Sequence, residues 1–181
     1  MSNTIPAGTW TLDATHSTVA FQIRHLAISK VKGTFEEAAA TLITGATPAE
    51  SSASGSVKVA SINTNQEQRD EHLRTGDFFA ADEFPEITFR STKVEGDEEE
   101  LKVEGELTMR GVTKPVVFDV EVGGVVVDPY GNTKLGLEAK TKINRTEFGV
   151  NFNAALETGG VMLGEEVKLE LDLQFALNAS S

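Results

Sequence analysis

Three basic side chains fall within six residues in RDEHLRTGDFF, where Arg69, His72 and Arg74 share one short charged segment. Guanidinium pairs well with phosphate and carboxylate oxygens, so such a group can attract an anionic head. The same spacing allows a purely local use: Asp70 and Arg74 are an i,i+4 pair of the kind found on a solvated helix face. His25 continues the Val19, Phe21, Ile23 row at every second position, which puts an imidazole at the end of an apolar face, where it can hydrogen-bond a polar group. Arg145 ends another alternating run and joins Arg69 and His72 as a head-group candidate, with Arg110 at a hairpin tip. His16 beside Ser17 has the residue types of a base and a nucleophile, but neighbours on a strand face opposite sides, so no catalytic pair is expected. The three His lack metal-ligand spacing, and the absence of Cys excludes thiolate sites, disulfides and a Cys nucleophile; neither metal nor cofactor is expected.

The elements that must hold these residues are strands. Apolar and polar residues alternate almost throughout, the period of a half-buried strand. VAFQIRHL, LKVEGELTM and VKLELDLQFAL are the clearest runs, the last with Val167, Leu169, Leu171, Leu173, Phe175 and Leu177 on one side. Weaker runs cover 10–13, 31–42, 57–62, 87–94, 116–122 and 135–143. Arg110-Gly111, Gly96-Asp97-Glu98 and Pro129-Tyr130-Gly131-Asn132 are turn signals, Pro115 belongs near a strand start or bulge, and Thr44–Gly55 reads as a small-residue hairpin loop. The helical exception is marked by Thr64-x-x-Glu67, a capping box, and by Gly76 as its stop, which predicts a helix over roughly 65–75 across an opening of the sheet.

About eight single-faced antiparallel strands, with no helices to cover a second face, leave a closed barrel or a two-sheet sandwich. The length of the runs favours a barrel, and closure removes sheet edges. Eight staves are the size at which side chains either fill the interior or leave room for one ligand. A length of 181 residues suits one domain, taken as 1–181 with 1–8 as an N-terminal tail. The balance of 28 acidic to 16 basic residues, net −12, repels phosphate backbones and argues against nucleic acid. No run approaches the ~18 apolar residues of a membrane span, and MSNTIPAGTW has neither a basic nor an apolar leader region, so the expected compartment is the cytoplasm.

Six fragments in order resemble the YceI-like polyisoprenoid-binding family: WTLDATHSTVAFQIRHL, VKGTF, RDEHLRTGDFF, EFPEITFRST, GELTMRGVTKPV and NRTEFG. The resemblance implies an all-β, eight-stranded antiparallel lipocalin-like barrel with one or two short helices. It also implies an apolar channel for an isoprenoid chain, such as a polyprenyl phosphate or a quinone tail. A hydrocarbon chain binds through burial alone, so its site needs no polar signature. The candidate walls are Phe21, Ile23, His25 and Phe35 from the first runs, Leu107, Met109 and Phe118 from the middle, and Phe148, Leu171 and Leu173 from the last. Phe78, Phe79, Phe84 and Phe89 would add an aromatic wall beside the helix, with Arg69, His72 and Arg145 toward the head group. The partner is thus a long-chain isoprenoid or similar amphiphile, and pairing of two barrels is left open. Two alternatives stand beside a non-enzymatic carrier: an enzyme using His25 or an inward carboxylate as base, and a filled barrel acting through its acidic exterior.

Overall fold

The alternating runs pair into one continuous antiparallel sheet. The computed structural model of the chain describes residues 4–26, 28–153 and 163–179; residues 1–3 of the expected tail lie outside the described residues. The strands are β1 (Gly8–Leu12), β2 (Thr18–His25), β3 (Ser29–Phe35), β4 (Ala38–Thr44), β5 (Ser52–Lys58), β6 (Ile62–Asn63), β7 (Glu86–Gly96), β8 (Glu100–Met109), β9 (Val112–Val127), β10 (Thr133–Asn144) and β11 (Leu163–Leu177), with the helix α1 at Glu67–Leu73. Gly8, counted with the tail, already pairs with Thr44.

Six of these strands are halves of three interrupted staves. β11 pairs with β1 at Trp10↔Leu177 and with β2 at Leu171↔Val19. β4 and β3 lie beside β1 and β2, and β5 and β6 lie beside β4 and β3. Joined in this way, β1/β2, β3/β4 and β5/β6 reduce the sheet to eight staves. β5 continues to β7, each later strand pairs with the next, and β11 returns to β1 and β2. The ring is therefore the closed eight-stranded antiparallel barrel expected from the alternation. Cross-strand pairs such as Arg90–Glu106 (2.9 Å) and Lys102–Asp119 (2.9 Å) occupy its outside.

Three local expectations are corrected. His16 and Ser17 lie on a 3-10 turn (Ala14–His16) and its cap, between β1 and β2, and not on a strand. His16 Nδ1 pairs with the Asp13 carboxylate at 2.8 Å, a bond that holds Asp13 below the usual carboxylate range, while Ser17 Oγ donates to the Asp13 carbonyl at 2.7 Å. Second, much of Thr44–Gly55 is not loop: Ser52–Lys58 is β5, because closure of the ring demands a stave there despite its small residues.

Third, the capping box does not form. Thr64 is spent elsewhere: its amide (2.9 Å) and hydroxyl (2.6 Å) donate to Asp70 Oδ1, and Arg69 donates from Nε to Thr64 Oγ1 and from Nη2 to the Thr64 carbonyl, both at 2.7 Å. The N-cap moves to Gln66, whose side chain accepts from the Arg69 amide, and the helix closes at Arg74 before Gly76. Asp70 and Arg74 do not serve each other, since Arg74 donates to the carbonyls of Ala60 and Ile62. The helix is tied at both ends to the end of β6.

The β8–β9 hairpin closes on two residues, Arg110 at φ 51° and Gly111 at φ 74°, the paired left-handed conformation of a tight hairpin turn. A Cβ on Gly111 would also meet the Phe84 ring at 2.8 Å. Gly111→Ala is expected to cost about 1–3 kcal/mol, from left-handed strain plus displacement of Phe84, read from the urea midpoint. A midpoint equal to wild type would mean that the turn tolerates Cβ.

Candidate ligand-binding lumen

Strand alternation turns one row of each stave inward, and those rows do not fill the axis. They leave two chambers stacked along the barrel. The outer one, about 440 Å³, is walled by Leu107 of β8, Phe118 and Val120 of β9, Ala139 of β10, and Leu171 and Leu173 of β11. Phe89 completes an aromatic corner, edge-on to Phe118 with ring centroids 5.2 Å apart. On the opposite side the wall is made of small residues, Ala38, Ala40, Ala53 and Gly55, and their lack of bulk is what keeps the lumen open. Its rim carries Ile5, the residues of the β4–β5 turn, Asp97 and Glu98. The Asp97 carboxylate accepts the amides of Glu99 and Glu100 at 2.8 Å each, and those bonds hold it below the usual carboxylate range.

The inner chamber, about 180 Å³, lies under α1. Phe21, Ile23 and His25 come from β2, Arg69, His72 and Leu73 from α1, Phe78 and Phe79 from the segment after it, and Ile143 and Arg145 from the end of β10 and its following turn. Phe35, Met109 and Leu169 line both chambers and so form the partition between them. Aromatic contacts knit the inner end: Phe21 to Phe35 at 5.5 Å, Phe35 to Phe79 at 6.2 Å, and Phe78 to Phe152 at 5.0 Å. The His72 ring stands edge-on to both Phe78 and Phe152, while its Nε2 pairs with Asp77 at 2.8 Å.

Arg145 is the polar exception within this end. It opens the 3-10 turn Arg145–Phe148, capped by the Asn144 side chain at one end and by Gly149 at φ 78° at the other, and only 4% of it is exposed. Nε donates to the Gly164 carbonyl at 2.8 Å, and Nη1 donates to the carbonyls of Val150 (2.7 Å) and Phe152 (2.9 Å). Nη2 is buried with no hydrogen-bond partner among the described residues. Burial lowers the Arg145 pKa, and the charge of Glu165 works against that shift.

The barrel thus gathers most of the residues singled out in the sequence around one axis: Phe89, Leu107, Phe118, Leu171 and Leu173 outside the partition, Phe35 and Met109 within it, and Phe21, Ile23, His25, Arg69, His72, Phe78, Phe79 and Arg145 inside. Two lie elsewhere. Phe84 packs on the Gly111 turn, and Phe148 is 1% exposed and lines neither chamber. Arg110 donates to the carbonyls of Gly149 and Gly76, clamping two loops together. Phe152 and Val150 gave no sequence signal because they follow a turn outside any alternating run. Leu169 stood in the β11 alternation and marks the partition only once the strands are placed. Among the described residues no group of three or more His, Asp or Glu is disposed to hold a metal, and no helix is long and apolar enough to cross a membrane.

The fold and sequence have relatives. A YceI-like domain is matched over residues 10–175. A UPF0312 protein of Staphylococcus aureus (strain USA300) is 43% identical over 171 residues, covering 93% of this chain and 98% of that protein. Among solved structures, a Campylobacter jejuni YCEI protein is 34% identical with a TM-score of 0.75, covering 87% of this chain and 91% of that one. BcnA of Burkholderia cenocepacia (TM-score 0.79, 22% identity, 90% of this chain and 98% of that one) shares the fold. So does a polyisoprenoid binding domain from Saccharophagus degradans (TM-score 0.70, 14% identity, 93% and 98%). With a domain match spanning nearly all of its strands and a relative this similar over its whole length, the chain belongs to the YceI-like family.

Proposed function

We propose that the chain is a non-enzymatic carrier or sequestering protein that takes up one isoprenoid or similar long-chain amphiphile along its axis. The observation that carries this is the pair of apolar chambers, about 440 and 180 Å³, in a barrel small enough for side chains to have filled it. Burial of chain at ~25 cal/mol per Å² gives affinity without directional contacts. The polyisoprenoid binding of the Saccharophagus degradans domain supports the same reading. The open lumen favours this reading over a filled barrel acting through its exterior. The cytoplasm is the proposed compartment, checked by fractionation of the native cell.

The experiment is gentle purification, solvent extraction and mass spectrometry, followed by binding of added polyprenols. Repeated recovery of no lipid together with no uptake of added chains would overturn the proposal. A finer expectation concerns the partition. Met109→Ala should join the chambers and favour longer chains, each further buried methylene adding about 0.8 kcal/mol, read by competition among homologous chain lengths. An unchanged order of preference would mean that the ligand stops short of Met109.

A further inference from the structure

We infer that the inner chamber is a built site for a single carboxylate, donated to by Arg145 Nη2, so that the ligand is a long-chain monocarboxylic acid lying head-inward with its chain running past Phe35, Met109 and Leu169 into the outer chamber. The inference rests on the lumen being a ligand site and adds the head group and its direction.

The first ground is a missing partner. A buried guanidinium nitrogen without an acceptor loses its hydration and gains nothing in return, a cost of about 1–3 kcal/mol that native interiors avoid. Arg145 is 4% exposed, lines the inner chamber, and has its other nitrogens committed to three backbone carbonyls. The second ground is the sign of the two ends. In a chain of net charge −12, the titratable side chains lining the inner chamber among the described residues are His25, Arg69, His72 and Arg145, while the carboxylates of Asp70, Asp77 and Glu165 stand near these bases without lining it. Those lining the outer chamber are Asp97 and Glu98, with no base among the described residues. An anionic head is repelled at the rim and attracted at the inner end. The third ground is the number of open donors. Arg69 is spent on Thr64 and His72 is paired with Asp77, so that, beside the half-buried His25 ring, Nη2 is the fully buried side-chain donor without a partner among the described residues. One such donor suits a compact monoanion; a phosphate or pyrophosphate carries more charge and more acceptor oxygens than it can meet.

The test uses the full chain, stripped of lipid, and two probes of equal length, hexadecanoic acid and hexadecan-1-ol. The acid is expected to bind at least tenfold more tightly than the alcohol, and its ¹³C-labelled carboxyl to titrate in the bound state below the range of the free acid. Arg145→Lys, with its fold checked by circular dichroism, should bring the preference for acid over alcohol below threefold. If that variant does not fold, the wild-type comparison and the carboxyl titration decide alone. Equal affinity for acid and alcohol, or a bound carboxyl titrating as in the free acid, overturns the head-group assignment and leaves the lumen as a chain site. Binding of neither probe, nor of polyprenols, overturns the proposed function and this inference with it.

Discussion

Ala139→Phe is expected to weaken long-chain binding roughly fiftyfold while leaving the barrel folded. Ala139 sits in the middle of β10, opposite Val120 on one side and Leu171 on the other, and lines the outer chamber. A phenyl ring there points into open lumen, so the overpacking cost of 1–3 kcal/mol known from filled cores is largely avoided. The ligand bears the loss instead. Displacing about three methylenes from the wall at about 0.8 kcal/mol each removes about 2.4 kcal/mol, the quoted factor. Lys140→Phe, one residue along and outward-facing, is the control and should leave affinity within a factor of two. Displacement of a fluorescent fatty probe gives the affinities and urea melts give the stability. Wild-type affinity in a folded Ala139→Phe protein would show that the chain does not run through this chamber.

That the wall could be named at all reflects what strand periodicity encodes. A period of two assigns each residue of a strand to one face, so Leu107, Met109, Leu171 and Leu173 followed once the runs were recognised. Eight staves followed from run count, the lack of covering helices left a barrel or a sandwich, and the length of the runs favoured closure. Periodicity says nothing about whether inward rows fill the interior, and the open lumen depended on Ala38, Ala40 and Ala53, whose small volume signals space only after their neighbours are known. Local signals failed where tertiary bonds outbid them. Thr64 had a capping partner three residues on, yet a buried carboxylate at Asp70 and the Arg69 guanidinium took both its donor and its acceptor. Phe84 and Phe148 shared composition with the wall residues, and composition does not carry direction. The two Arg residues on the lumen looked alike in sequence; burial depth and the orphaned Nη2 separate Arg145 from Arg69, and both are properties of the assembled inner end.

Arg145→Met is expected to be the most destabilising single change at that inner end, about 3–5 kcal/mol. Methionine keeps the length and flexibility of the aliphatic stem, so the loss is chiefly one of hydrogen bonds. Three carbonyls, of Val150, Phe152 and Gly164, lose the donor that joins the turn after β10 to the start of β11. Val150 is itself 2% exposed, so water does not readily replace the guanidinium there. Each unsatisfied buried acceptor costs about 1–3 kcal/mol, and the three share one donor group, so the sum falls short of three independent losses. The Arg110 clamp on Gly149 remains, which holds the turn in place but does not supply the lost donors. Urea unfolding measures the total, and hydrogen exchange locates it: the amides of 145–153 should lose protection well before those of β8 and β9. A loss under 1 kcal/mol would mean that these carbonyls find other donors, and that Arg145 is held at the lumen for its ligand alone.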